Sequence, residues 1–435
     1  MQLYSTNDPS LRVEFKEAVF NSLPLDKGLY MPVNIPVLDA GFIENIDQYS
    51  MEEIAFEVAR SLLQGAIPDQ ALKQIINETI NFSAPAVKLD NQTYVLELFH
   101  GPSLAFKDFG ARFMSRVMSY YLKEDERILD ILVATSGDTG GAVALGFLGV
   151  PDTRVTILYP RGKVSAIQEL QLTTNGQNIR TIEVDGTFDD CQALVKQAFS
   201  DKDLNNALRL TSANSINIAR LIPQTFYYFN AYAQLKREGI KDFVFSVPSG
   251  NFGNIAAGLL AWKMGLPVKQ FLAATNVNDT VPQFLETGIY KPKASVQTYS
   301  NAMDVGNPSN WARIIDLFKD DPKQLKKLIK AYSFTDAETL NAVQMIFERF
   351  NYVVCPHTAI AWLAIQRWRT ENISDHALAV FLSTAHPCKF PDVFPDEVAK
   401  HIVVPEEVRN LTAKSRLVVM MGNDFGSFKR HLLEE

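Results

Sequence analysis

Cysteine is scarce in this chain of 435 residues, and the spacing of its cysteines excludes several classes of protein. Cys191, Cys355 and Cys388 are odd in number and far apart, so neither a disulfide framework nor a CxxC metal or redox pair is present. The six histidines show no HExxH or other close metal-binding spacing. We therefore expect reduced, buried thiols and no metal site.

Long apolar runs and an excess of positive charge are missing as well. The longest apolar stretches, such as AVALGFLGV at 142–150, are about half the length of a membrane-spanning helix, and residues 1–12 contain no apolar signal core. Lysine and arginine number 42 against 49 aspartates and glutamates, a net charge of −7 that argues against a nucleic-acid or membrane partner. We expect a cytoplasmic globular protein of two or three domains.

From Asp130 onward, short β-rich runs alternate with longer helical runs. Strands are predicted at 130–136, 153–160, 179–186, 242–250 and 269–276, with helices between them. A long helix is predicted from ARLIPQ to Gly239, despite Pro223 in its first turns. This alternation predicts βαβ units in an α/β fold with buried parallel sheets, which bind ligands at the carboxyl ends of their strands.

Two other regions lack this alternation. The first 90 or so residues contain helical segments such as MEEIAFEVARSLLQG, and they predict a separate N-terminal domain over 1–90. The stretch 310–350 is predicted to be helical, with the charged segment KDDPKQLKKLIK forming a solvated face.

One lysine, Lys107, lies among apolar and aromatic residues in ELFHGPSLAFKDFGARF at 97–113. It either extends its stem over an apolar surface to reach water or is desolvated, which would lower its pKa. A lysine of the second kind can attack a carbonyl and hold an aldehyde cofactor as a Schiff base.

Two glycine-rich turns follow predicted strands. In SVPSGNFGNIAAG, at 246–258, the glycines let the backbone approach a ligand, and the amides at the start of the helix can hold a phosphate. In ATSGDTGGA, at 134–142, hydroxyls and exposed amides suit a carboxylate or phosphate, whereas Asp138 must face a ring hydroxyl or a cation. Each turn could instead be a simple connection. Together with Lys107, they suggest a phosphorylated aldehyde cofactor and an anionic substrate.

Two further segments carry polar side chains. In SANSINIARLIPQ, at 212–224, Asn214, Ser215 and Asn217 can cap the following helix, and Arg220 can add a phosphate site one turn later. In VFLSTAHPCKF, at 380–390, a strand ends at a pair of hydroxyls. A neutral hydroxyl facing a pyridine nitrogen would leave that nitrogen unprotonated.

These motifs, taken together, resemble the threonine synthase family over nearly the whole chain. The resemblance rests on YSTND, LPLDKGLYMP, GPSLAFKDFGARF, ATSGDTGGA, SANSIN, VPSGNFGN, SNAMDVGNPSN, CPHTAIA and STAHPCKF. Of these, SNAMDVGNPSN is the most specific, because related enzymes of this fold type do not generally carry it. The family more often has a second glycine where Lys27 stands.

The resemblance implies a fold-type II pyridoxal-phosphate enzyme, with two open parallel-sheet α/β domains plus an N-terminal domain. The catalytic region would span 91–435, with the smaller subdomain at about 125–215. Lys107 would be the Schiff-base lysine and catalytic residue. The cofactor, pyridoxal 5'-phosphate, would contact Lys107, Asp138, Gly250, Asn251, Phe252, Gly253, Asn254 and Thr384. The substrate O-phosphohomoserine would contact Thr135, Ser136, Thr139, Asn214, Ser215 and Arg220.

The implied reaction is γ-elimination of phosphate followed by β-addition of water to give L-threonine. Two alternatives remain from the sequence: another enzyme of the fold, such as a threonine dehydratase or a sulfhydrylase, or a non-catalytic relative that binds the cofactor or a phosphorylated metabolite. The N-terminal domain and SNAMDVGNPSN argue against the first, and the intact Lys107 with both glycine turns argues against the second. The protein is expected to be a monomer or a dimer.

Overall fold

The computed structural model describes residues 1–122 and 127–434 and confirms the α/β fold class, with two largely parallel sheets and a small N-terminal sheet. The predicted start of the smaller subdomain, at about residue 125, lies outside the described residues. Within these two described ranges, no helix has the length and apolar character needed to cross a membrane.

The larger sheet contains six strands, of which all but one run parallel to their neighbours. The exception is the short edge strand at 86–88. In spatial order the strands are Ile329–Ser333, Gln270–Thr275, Phe243–Pro248, Leu378–Ser383, Thr93–Glu97 and Ala86–Lys88. Every residue of the central strands 243–248 and 378–383 is buried, as expected where helices cover both faces of a parallel sheet.

The smaller sheet contains five parallel strands, one of them from the far C-terminus. Their spatial order is Val419–Gly422, Ile179–Asp185, Thr153–Pro160, Leu129–Ala134 and Arg209–Ser212. The surrounding helices are Asp138–Phe147, Ala166–Thr173, Phe188–Ser200, Lys202–Ala207, Glu406–Leu411 and Phe425–Glu434. The C-terminal segment thus returns to the smaller sheet after the last strand of the larger sheet, 378–383.

The N-terminal region combines a three-stranded antiparallel sheet with helices. Its strands are Gln2–Ser5, Arg12–Glu14 and Tyr30–Pro32, and its helices are Phe15–Asn21, Ala40–Glu44, Ile46–Gln48 (3-10), Met51–Leu63 and Asp69–Thr79. Ser50 and Glu53 form a capping box that starts the helix 51–63, whose apolar face joins the main core. This region therefore packs directly on the rest of the fold, with helix 51–63 against helix 224–237 and helix 69–79 against helix 107–122.

The remaining helices cover the larger sheet or connect the two sheets. They are Lys107–Leu122, Ile218–Leu221, Gln224–Arg237, Gly253–Lys263, Thr280–Thr287, Asn301–Met303 (3-10), Trp311–Leu317, Pro322–Leu328, Asp336–Phe350, Pro356–Glu371, Pro387–Lys389 (3-10), Pro391–Val393 (3-10) and Asp396–Ala399.

Two predictions of secondary structure were wrong. The long helix before Gly239 is two helices, 218–221 and 224–237, because Pro223 has no amide proton to continue the hydrogen bonds of the first. The stretch 310–350 is not helical throughout, since 329–333 forms the edge strand of the larger sheet. The lysines of the charged segment are exposed, as predicted.

Candidate active site

The candidate site lies where strands of both sheets end. The strand 129–134 leads into the turn at 135–137, the strand 243–248 leads into the turn at 249–252, and the strand 378–383 leads into Thr384. The neighbouring parallel strands 243–248 and 378–383 end at the same edge of the larger sheet, so the 249–252 turn lies near Thr384. The buried pair of Asp138 with Lys389 brings the turn of the smaller sheet to the same region.

Lys107 is the first residue of the helix 107–122 and lies next to Thr384. The amide of Phe106 donates to the Thr384 carbonyl at 2.9 Å, and Ala105 forms an isolated bridge with Ala385. Desolvation lowers the pKa of Lys107 to about 8, with Asp138 opposing the shift and Lys389 and Arg220 adding to it. The desolvated alternative for Lys107 therefore fits the structure better than a surface lysine.

The turn at 250–254 is a tight cradle. A Cβ atom on Gly250 would lie 2.6 Å from Cα of Met303, and Phe252 adopts a left-handed conformation with φ of 59°. Oδ1 of Asn254 accepts hydrogen bonds of 2.7 Å from Tyr227 and Tyr228, whereas its buried Nδ2 has no partner in the described part of the chain. An open amide donor at the start of the helix 253–263 fits the phosphate of pyridoxal phosphate.

The turn at 135–141 is shaped by one of the hydroxyls predicted to bind substrate. Oγ1 of Thr135 accepts from the amides of Gly137 and Gly140 at 3.0 and 2.8 Å and donates to the Gly137 carbonyl at 3.2 Å. Position 137 requires glycine, because its φ of 131° is rarely adopted by residues with a side chain. Ser136 and Thr139 remain partly exposed, unlike Thr135.

Asp138 faces a cation. The sequence had indicated that this carboxylate must face either a cation or a ring hydroxyl. Its Oδ1 lies 2.7 Å from Nζ of Lys389 and accepts from Nε2 of Gln168 at 2.9 Å. Both charged side chains are buried. Burial raises the pKa of Asp138, but the ammonium groups of Lys389 and Lys107 outweigh that effect and hold the pKa far below its usual value. Asp138 is therefore ionised.

Arg220 is buried and lies close to Lys107. Its Nη1 donates to the Ala213 carbonyl, while its buried Nε has no hydrogen-bond partner in the described ranges. Burial lowers the pKa of this guanidinium to about 10, and Asp108 opposes the shift. A Cβ atom on Gly110 would lie 2.7 Å from Arg220 Nε, so that glycine makes room for the side chain. The free donor is suited to an anion.

The other predicted substrate residues, Asn214 and Ser215, contact different turns. Nδ2 of Asn214 donates to the Ala134 carbonyl at 2.8 Å, which places Asn214 at the start of the 135–141 turn. Ser215 instead contacts the other turn, because its Oγ accepts from Nδ2 of Asn251 at 2.6 Å. Sequence reasoning assigned Ser215 and Asn251 to different ligands, and the fold brings them together.

Several polar residues of the site were missed from the sequence, although all except Gln168 lie in or near a quoted motif. His357, from CPHTAIA, accepts from the Ala302 amide at 3.3 Å through Nε2, and its Nδ1 is buried without a partner in the described structure. Burial lowers the pKa of His357 to about 4 despite Asp138 nearby, so the ring is neutral. The only sequence signal for His357 was its place in CPHTAIA, and a motif does not reveal that a side chain is buried. The others are Gln168, Asn310, Arg313 and Lys389.

Comparisons with known proteins agree with this site. A family model described as pyridoxal-phosphate dependent enzyme matches residues 77–384, while models described as threonine synthase N terminus and threonine synthase, C-terminal match 2–80 and 358–432. The threonine synthase of Serratia marcescens is 42% identical over 433 residues, covering 100% of this chain and 99% of the relative.

Two solved structures show the same architecture. The crystal structure of threonine synthase from Escherichia coli has a TM-score of 0.92 at 41% identity, covering 100% of both chains. The structure of PLP-bound threonine synthase from Brucella melitensis has a TM-score of 0.92 at 33% identity, covering 100% of this chain and 99% of that one.

The fold and the match to the pyridoxal-phosphate dependent enzyme model define a pyridoxal-phosphate-dependent enzyme of fold type II, and the desolvated Lys107 agrees with this class. The matched N-terminal and C-terminal regions narrow this class further. The chain belongs to the threonine synthase family.

Proposed function

We propose that this protein converts O-phosphohomoserine and water to L-threonine and phosphate, the last step of threonine biosynthesis. The observation that carries the proposal is the desolvated Lys107 together with two separate groups that suit an anion. These are the turn at 250–254 and the Arg220 guanidinium, whose charge acts on the Lys107 amine. A phosphorylated cofactor and a phosphorylated substrate need two such elements, whereas a substrate without phosphate needs one.

When bound, pyridoxal phosphate supplies an aldehyde for the Lys107 amine and a ring that stores the electrons withdrawn from the substrate. The residues assigned to it are Lys107, Asp138, Gly250, Asn251, Phe252, Gly253, Asn254 and Thr384. The buried, open Nδ2 of Asn254 and the close backbone approach at Gly250 support the phosphate end of this assignment. The ionised Asp138, held by Lys389, would accept a hydrogen bond from the ring hydroxyl of the cofactor.

Lys107 moves the protons. A pKa of about 8 leaves a useful fraction of its amine neutral near pH 7 to 8, so the freed amine can take a proton from Cα. After giving that proton up, the amine can take one from Cβ and return it to Cγ once the phosphate has left. Ser136 and Thr139 hold the substrate carboxylate, and Thr135 shapes their turn.

Arg220 and Asn214 hold the leaving phosphate, with Ser215 nearby. The guanidinium keeps its Nε–H free of protein acceptors in the described structure, and a charge-assisted bond from it strengthens as the phosphate takes up charge on leaving Cγ. Water then adds at Cβ. The phosphate retained near Arg220 assists as the base for this water.

The experiment compares substrates on one preparation of the cofactor-loaded protein. Phosphohomoserine should give threonine and phosphate in equal amounts, and Lys107→Ala should lose both turnover and the covalent attachment of the cofactor. Turnover of threonine to an oxo acid would favour a dehydratase, and turnover of an activated serine with sulfide a sulfhydrylase. Cofactor binding without any turnover would favour a regulator.

We further propose that the N-terminal domain spans 1–90 and the catalytic region 91–435, and that the protein works in the cytoplasm. The three free, buried cysteines agree with a reducing compartment.

A further inference from the structure

Arg313 is a fully buried arginine that forms no ion pair with any carboxylate in the described ranges. Its hydrogen bonds go to neutral acceptors, namely the carbonyls of Tyr30, Ser215 and Ile216 and Oδ1 of Asn310. Burial alone lowers the pKa of this guanidinium, to about 9. Because a buried charge without a counter-charge is costly, the arrangement indicates that an anion completes it.

A chain of donors leads from this guanidinium to one hydroxyl. Nη1 of Arg313 donates to Oδ1 of Asn310 at 2.6 Å, and Nδ2 of Asn310 donates to Oγ of Ser215 at 3.4 Å. The same oxygen accepts from Asn251 at 2.6 Å. Ser215 is therefore an acceptor twice, and its own proton has no acceptor among the residues described. Hydrogen bonds in such a chain polarise one another, which makes the last hydroxyl a stronger donor.

The chain ends at the glycine-rich turn. A Cβ atom on Gly253 would lie 3.4 Å from Nδ2 of Asn310 and 3.8 Å from Cβ of Ser215. Asn254, in the same turn, independently presents a buried Nδ2 without a partner in the described structure. The Ser215 hydroxyl, the open Asn254 amide and the start of the helix 253–263 thus form one group of donors with a positive charge behind it.

We propose that Arg313, acting through Asn310, presents the Ser215 hydroxyl to a phosphate monoester at the 250–254 turn and supplies the charge that balances it. Arg313 is in this sense a positioning residue. The inference rests on the proposed function for the identity of the ligands, because both the cofactor and the substrate carry a phosphate monoester. The proposed site recognises this phosphate monoester, and the experiment shows whether the cofactor or the substrate supplies it.

The most informative variant is Asn310→Asp. It keeps the size of the side chain and an acceptor for Arg313, but it replaces the donor toward Ser215 with an acceptor and neutralises the guanidinium. The measurement is the affinity of the cofactor-free protein for pyridoxal phosphate and for pyridoxal, which lacks the phosphate. We expect pyridoxal phosphate to bind about tenfold more weakly or worse, in line with the loss of a hydrogen bond to a charged group, and pyridoxal to bind as before.

Ser215→Ala removes only the terminal hydroxyl and should act in the same direction, so the test stands even if Asn310→Asp does not fold. Ser309→Ala is its matched control, because Ser309 is an exposed neighbour that contacts Asn251 through its backbone amide. This control should change neither affinity.

If the phosphate is the substrate's, the affinities for pyridoxal phosphate and for pyridoxal both stay unchanged, and inorganic phosphate binds at least tenfold more weakly to the cofactor-loaded variants in calorimetry. Equal weakening of pyridoxal phosphate and pyridoxal would mean a structural role and overturn the proposal. Unchanged binding of both phosphate compounds in folded variants would also overturn it. Because no turnover is measured, a failure to make threonine leaves this test intact.

Discussion

Lys389 and Asp138 form a buried ion pair in which Nζ and Oδ1 are 2.7 Å apart, and the same ammonium donates to the Ser103 carbonyl at 2.8 Å. The pair joins the segment after the last strand of the larger sheet to the first turn of a helix on the smaller sheet. It also lies near Lys107, where Lys389 lowers the pKa of the amine and Asp138 raises it. The pair therefore contributes to both the structure and the electrostatics of the site.

Removing one charge of this pair should lower the free energy of unfolding more than removing both charges. Lys389→Met and Asp138→Asn each leave a buried group without its partner, so each should lower the free energy of unfolding by about 3–5 kcal/mol. The double variant should recover much of that loss. Denaturant unfolding of the cofactor-free proteins measures all three values.

The exposed pair of Lys269 with Asp375, at 2.8 Å, is the control, and Lys269→Met should cost less than about 1 kcal/mol. Strictly additive losses in the Asp138 and Lys389 double variant would show that the two side chains are not coupled.

Lys107 should lower the stability of the cofactor-free protein near neutral pH. Its pKa is about 8 when folded, against an ordinary value of 10.5, so between these values the unfolded chain binds more protons and stability rises with pH. Below pH 8 the destabilisation caused by burying the charged Lys107 is fully present. Lys107→Met should therefore be more stable at pH 7, by up to about 3 kcal/mol.

The measurement is the free energy of unfolding of both proteins at several values of pH from 7 to 10.5. Their difference should shrink as the pH rises. A difference that stays constant over this range would mean that Lys107 titrates normally in the folded protein.

Arg220 should act on the substrate and not on the cofactor. Arg220→Ala removes a charge-assisted bond to phosphate, so kcat/KM for phosphohomoserine should fall by about tenfold or more, while the affinity for pyridoxal phosphate changes little. Gly110→Ala should reproduce part of this loss, because its Cβ would lie 2.7 Å from Arg220 Nε. Kinetics and cofactor titration on the same preparations measure both effects. Loss of cofactor affinity with normal substrate affinity would reverse the assignment of the two anion sites.

Lys27 should be a point of backbone strain. Its φ of 66° lies in the left-handed region, which costs a residue with a Cβ roughly 1–2 kcal/mol. Lys27→Gly should raise the free energy of unfolding by about 1 kcal/mol, part of the relief being offset by the greater freedom of glycine in the unfolded chain. Thermal and denaturant unfolding check this, and a destabilised variant would show that the Lys27 side chain makes a larger contribution of its own.

Sequence patterns predicted the parts of the fold that depend on local order. The strand 153–160 has the bounds predicted for it, because a β-branched and aromatic run there is bounded by turn residues. The strand 329–333 was missed because five residues beside a charged helix show no clear period. The C-terminal strand 419–422 was missed because its partner, 179–185, lies far away in the chain.

Features of the site that depend on contacts between distant residues were likewise missed from the sequence. Lys107 was proposed as a site residue because of its apolar surroundings, and the glycine turns because of their residue types and their positions after strands. Lys389, His357 and Arg313 were not, because a lysine, a histidine and an arginine are ordinarily exposed or half-buried, and only tertiary packing shows that these three are buried. Ser215 was assigned to the substrate alone, since nothing local reveals its contact with Asn251.

The measurement that tests the proposed chemistry most directly is the turnover of O-phosphohomoserine in water enriched in oxygen-18. Cleavage at Cγ with addition of water at Cβ requires threonine that carries one heavy oxygen in its hydroxyl group and phosphate that carries none. Mass spectrometry of both products, with Lys107→Ala as the inactive control, gives the answer. Labelled phosphate together with homoserine, or 2-oxobutyrate in place of threonine, would contradict this account.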